Sequence, residues 1–161
     1  MSAPVALSAV LALGGMLIFG PTACTTSGRT SIDDYFRRLS QADDRFDEAS
    51  TDAESEEYES VREFMLEVFI PLYRDYLADI RKLSPPPAFD TAHQELLDAN
   101  TDMLALLEDS ESRYASLRSD IELGEFFDEP VVAAANDRTI RACSALRQLA
   151  DENDIVVDLG C

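Results

Sequence analysis

Asp90 and His93 stand three residues apart, a spacing that sets a carboxylate and an imidazole on one face of a helix. Such a pair can ligate a metal or carry a proton. A di-iron bundle site needs the pair twice, with further glutamates. His93 is the only histidine in the chain, so that site cannot form. A lone imidazole leaves a ligand contact, a pH sensor, or a packing residue that fixes the turn beside Pro85, Pro86, Pro87 and Phe89. Asp90, His93 and, two turns further on, Asn100 are the candidate ligand contacts. Asn100 and Ser110 also interrupt an apolar stripe, and there they would pair across a core and fix register. Tyr35, Tyr58, Tyr73, Tyr76 and Tyr114 either line a small cavity or sit in the core with hydroxyls at its rim. No nucleophile elbow, phosphate loop or dinucleotide fingerprint occurs. Neighbouring carboxylates such as Asp33–Asp34 and Asp43–Asp44 point to different sides of a helix. The expectation is a non-enzyme with no cofactor and no dedicated metal site.

The three cysteines, Cys24, Cys143 and Cys161, are the other reactive groups. No charged residue precedes Arg29. Residues 5–19 are an apolar run. At ~1.5 Å per residue it is too short to cross a hydrocarbon core of ~30 Å. It suits the apolar region of a secretory leader. Gly20-Pro21-Thr22-Ala23-Cys24 follows, then Thr25-Thr26-Ser27-Gly28. This segment resembles a bacterial lipoprotein signal, whose box ends in a small residue and a cysteine. Thr22 and Ala23 match that box; Pro21 stands where an aliphatic residue is usual, and no Lys or Arg precedes the apolar run. The resemblance implies a signal peptide over 1–23, a lipid on the sulfur of Cys24, and a chain held on the extracytoplasmic face of the cell membrane. The alternative is an uncleaved or conventionally cleaved leader with an ordinary cysteine.

With Cys24 lipidated, Cys143 and Cys161 remain, and an exported domain is where such a pair is oxidised. A helix from Cys143 to about Asn153 rises ~15 Å. The last eight residues, if extended, reach back ~26 Å. Gly160 allows close backbone approach. The bridge would contribute ~3 kcal/mol by limiting the unfolded chain.

Four helical segments would position these groups. The first runs over 31–49, with Ser31 as N-cap and Ile32, Tyr35, Phe36, Leu39, Ala42, Phe46 and Ala49 on one face. The acidic stretch 52–59 reads as a loop. The second covers 56–83 and is kinked at Pro71, where its stripe shifts from Tyr58, Val61, Met65, Val68 and Leu72 to Phe69, Tyr73, Tyr76, Ile80 and Leu83. The other reading is two shorter helices broken at Pro71. The third runs over 90–123, with Leu96, Asn100, Met103, Leu107, Ser110, Tyr114, Leu117 and Ile121 facing inward and Gly124 as its stop. The fourth starts at Asp128 or Glu129, with Pro130 near its first position, and ends about Asn153. Its inward residues are Val132, Ala135, Thr139, Cys143, Leu146 and Leu149 or Ala150. The expected fold is all-α: an up-down antiparallel four-helix bundle over 31–161. A polar tether spans 24–30, and a short extended tail is disulfide-linked to the last helix.

The chain has 161 residues and a formal charge of -19, from 13 basic against 32 acidic residues. Such a surface repels phosphate backbones, so nucleic acid is not an expected partner. The expected role is a lipid-anchored module, non-enzymatic, that binds an envelope protein or small ligand or serves the envelope structurally. An alternative is a ligand- or divalent-metal-binding protein acting through its acidic face. A hydrolase with a carboxylate or His93 centre is a third reading.

Overall fold

A computed structural model describes residues 26–54 and 57–161. All regular structure among them is helical. Where four helices are expected, six form among the described residues. Helix α1 is Thr26–Glu54. Helix α2 covers 61–81, built from an opening turn Val61–Glu63, a π-helical stretch Phe64–Phe69 and an α-helical stretch Ile70–Arg81. Then come α3 (Asp90–Asp109), the single turn α4 (Glu111–Tyr114), α5 (Asp120–Phe127) and α6 (Pro130–Glu152). Residues 154–161 form a tail without regular structure. No described helix is long and apolar enough to cross a membrane. Cys24 and the expected signal segment 1–23 lie outside the described residues.

Helix α1 begins upstream of the expected Ser31 cap and takes in the start of the acidic stretch. The discontinuity in α2 falls at Pro71, as expected, but it is a π-helical widening rather than a simple kink. Proline has no N–H to give and its ring crowds the preceding turn. The chain answers by lengthening one turn, so that Ile70 N–H bonds to Met65 O, five residues back. The buried stripe becomes Val61, Met65, Ile70, Tyr73, Leu77 and Ile80. The widened step from Met65 to Ile70 replaces the expected Val68 and Leu72, which are only half-buried.

The expected third helix is divided. Its stripe is buried as far as Tyr114 and then fails: Leu117 is half-buried and Ile121 is 76% exposed. At the break the Ser110 hydroxyl donates to Leu106 O and the Tyr114 hydroxyl to Leu107 O, so side chains take up carbonyls at the helix end. Ser119, in extended conformation, then caps α5. Gly124 is not a stop; it lies inside α5, and Phe126 supplies the buried contact. Arg113 of α4 pairs with Glu129 and lies over the Phe126 ring at 5.1 Å, tying the break to the start of α6.

Most of the buried apolar residues fall into two clusters. One gathers Phe36 and Leu39 of α1, Leu77 and Ile80 of α2, Phe89, Leu96 of α3, Leu146 and Ala150 of α6, and Ile155 and Leu159 of the tail. The other gathers Val61, Met65 and Ile70 of α2, Met103 and Leu107 of α3, Tyr114, Phe126 and Val132 of α6. Backbones approach closely between α1 and α2, α2 and α3, and α3 and α6. Between α1 and α6 the tail closes the seam. Ile155 and Leu159 are buried, Ser40 Oγ donates to Asp158 O at 2.9 Å, and Cys161 is bonded to Cys143 with a Cα–Cα distance of 5.9 Å. The few basic residues clamp neighbouring helices: Arg45 to Asp79, Arg74 to Glu108, and Arg138 to both Glu95 and Asp102.

Candidate functional site

His93 lies in the second turn of α3 because the three prolines end α2 and turn the chain back. Phe89 N–H bonds to Pro86 O at 2.8 Å, and His93 N–H to Phe89 O at 2.9 Å. The imidazole is 4% exposed, with Nδ1 2.9 Å from the Tyr35 hydroxyl. Tyr35 also stacks on Phe89 with ring centroids 6.2 Å apart. Burial pushes the His93 pKa below its ordinary value, while the Asp90 carboxylate pulls it back in part. Burial pushes the Tyr35 phenol up, so it keeps its proton. With its own proton on Nε2, the neutral imidazole accepts that phenol hydrogen at Nδ1.

Asn100 is 4% exposed, and its amide serves two internal partners. Oδ1 accepts from the Tyr73 hydroxyl at 2.6 Å, and Nδ2 donates to Leu96 O at 2.8 Å. Asp90 is exposed in the first turn of α3. His93 and Asn100 share the buried face but lie ~10 Å apart along the axis. The three do not converge on one cavity. His93 and Asn100 are each answered by a tyrosine, Tyr35 and Tyr73. Among the described residues no three His, Cys, Asp or Glu side chains gather as metal ligands. Asp34 is engaged by Arg37 and Arg38, which hold its carboxyl below the usual range, the Arg37 hydrogen bond first.

Two features were not singled out by residue type or spacing. One is the junction of tail and α1. The half-buried Asp43 accepts from Gly160 N–H, and its carboxyl is pushed up by burial and by Asp47, Asp44 and Asp158. A cleft of about 640 Å³ runs beside this junction, between Phe36, Arg37 and Gln41 of α1 and Ile155–Asp158 of the tail. The other is a cleft of about 740 Å³ at the far end of the molecule, where the first turns of α2 and α5 face each other. Ser60 caps α2 and Ser119 caps α5, each accepting from the N–H three residues on. The signal for both was present as Ser60-x-x-Glu63 and Ser119-x-x-Glu122, two capping boxes.

No family model, no curated protein and no solved structure matches the chain.

Proposed function

We propose that the chain is a lipid-anchored, extracytoplasmic helical module with a non-enzymatic binding or envelope-structural role. The observation that carries this reading is the Cys143–Cys161 disulfide. Such bonds persist in oxidising compartments, and this one leaves Cys24 as the remaining cysteine of three. The lipoprotein-like segment ending at Cys24 supplies the route out and the anchor. Residues 24–30, expected as a polar tether but helical from Thr26 on, then join that anchor to an acidic domain that an anionic leaflet would repel. An up-down arrangement of α1, α2, α3 and α6 is the bundle we infer. Its support is that the early residues of α1 and α3 share a cluster with the late residues of α2 and α6. The non-enzymatic reading is supported by a histidine held on Tyr35 and by carboxylates engaged with arginines.

Metabolic labelling with a fatty-acid analogue tests the anchor. Label on the wild-type chain and none on Cys24→Ala is the expected result; an unlabelled wild type contradicts it. The divalent-metal alternative predicts stabilisation by Ca²⁺, Mg²⁺, Zn²⁺ or Cu²⁺ beyond that of a monovalent salt at the same ionic strength. On the reading preferred here, the two responses are equal.

A further inference from the structure

The cleft between the first turns of α2 and α5 has an aromatic corner, an apolar floor and an acidic rim. The Tyr58 and Phe64 rings both line it, their centroids 5.2 Å apart and their planes tilted by 57°. Phe64 also packs on Phe69, with ring centroids 6.0 Å apart. Val61 and Leu123 add aliphatic surface.

The charges around it are lopsided. Glu57, Glu59 and Asp120 line the cleft, are exposed, and form no ion pair among the described residues. Among the described lining residues Arg118 alone is basic, and its guanidinium donates to Ala115 O at 2.8 Å. Two helix N-termini would ordinarily favour an anion. Here each start already carries a carboxylate of its own: Glu63 accepts from Glu59 N–H at 2.8 Å and Glu122 from Arg118 N–H, in each case the residue before the serine cap. A hard metal ion is disfavoured for another reason: it needs several oxygens converging at about 2.0–2.6 Å, and no such group of carboxylates forms among the described residues. A dispersed negative field beside ring faces suits a large, weakly hydrated cation.

We propose that this cleft binds an organic ammonium compound with an apolar body, its cationic head against Tyr58 and Phe64 under the field of Glu57, Glu59 and Asp120, and its body on Val61 and Leu123. The inference rests on the binding half of the proposed function and not on the acyl anchor.

Isothermal titration of the full-length chain with benzyltrimethylammonium chloride tests it, with sodium chloride at equal ionic strength and benzyl alcohol as controls. Saturable binding of the ammonium compound is expected, with benzyl alcohol at least about tenfold weaker. Tyr58→Ala and the double variant Glu59→Gln/Asp120→Asn should each weaken binding about tenfold. Phe64→Leu keeps aliphatic bulk and removes a ring face, and should weaken it likewise. Absence of saturable heat beyond that of sodium chloride overturns the proposal. So does equal affinity for the neutral alcohol, or unchanged affinity in the three variants. A chain without lipid on Cys24 that still binds the ammonium probe keeps this inference and removes the anchor; an acylated chain that does not bind it does the reverse.

Discussion

Gly160 donates its backbone N–H to the carboxylate of Asp43, 117 residues earlier in the chain. The approach leaves no room for a side chain: a Cβ on Gly160 would lie 2.9 Å from Asp43 Oδ2 and 3.1 Å from Asp47 Oδ2. This contact, the Ser40 bond to Asp158 O and the burial of Leu159 hold the tail over the seam between α1 and α6. Gly160→Ala must displace a hydrogen-bonded carboxylate and should destabilise by about 1 kcal/mol in urea unfolding. Asp43→Asn keeps an acceptor and removes repulsion from Asp44, Asp47 and Asp158, so it should stabilise at neutral pH. The sign follows from Asp43, whose folded pKa is raised above the ordinary 3.8. Its contribution is fully present below 3.8 and is lost as pH rises through the raised folded value. Asp43→Asn should flatten that part of the stability profile; an unchanged profile contradicts the assignment.

Reduction of Cys143–Cys161, across a sequence separation of 18, should lower stability by ~3 kcal/mol. The melting temperature should fall by on the order of 10 °C. Cys143→Ser/Cys161→Ser should melt with the reduced wild type and show no further response to reductant. A reduced chain as stable as the oxidised one would place the tail's hold elsewhere, in Ile155 and Leu159.

His93 is the sole histidine, so its ring proton signals in an NMR titration are unambiguous. Burial depresses its folded pKa, and the midpoint should therefore lie below the ordinary 6.5. The unfolded chain takes up the proton first, so stability is lost as pH falls from 6.5 through the folded value. Tyr35→Phe removes the hydroxyl facing Nδ1 while keeping the ring, and should destabilise by about 1 kcal/mol at neutral pH. A midpoint at or above 6.5 would mean that the imidazole is solvated.

Asn100 and Tyr73 should behave as a coupled pair. Asn100→Ala strands a buried phenol and should destabilise by about 1–3 kcal/mol. Adding Tyr73→Phe to it should cost little more, giving a coupling of ~1 kcal/mol in a double-mutant cycle. Additive effects would show that the 2.6 Å contact contributes nothing of its own.

Much of this architecture was legible in the residues. Pro130 opens α6, the proline run ends α2, and the cysteine pair closes as its reach allowed. Pro71 marked a discontinuity, but apolar period alone could not say which way the phase would move. Val68 and Ile70 are both aliphatic, and the π-helical turn is what brings Ile70 into the buried stripe. The break after Asp109 was hidden for a related reason. Leu107, Ser110 and Tyr114 stay in helical phase and stay buried, so their spacing reads as one unbroken helix. At the break the Ser110 and Tyr114 hydroxyls bond to carbonyls of the preceding turn, contacts that hydrophobicity does not record. His93 and Asn100 were visible as polar residues on an apolar face, but their partners, 58 and 27 residues earlier in the chain, were not. The ammonium cleft escaped notice because its walls are two distant capping boxes.

Intact mass of the chain from the membrane fraction, taken without reductant, distinguishes an anchored, oxidised chain from a free one. The expected species is a polypeptide beginning at Cys24, carrying acyl mass on that residue, with Cys143 and Cys161 joined. A chain that keeps its leader, partitions with soluble protein and carries all its thiols free would contradict it.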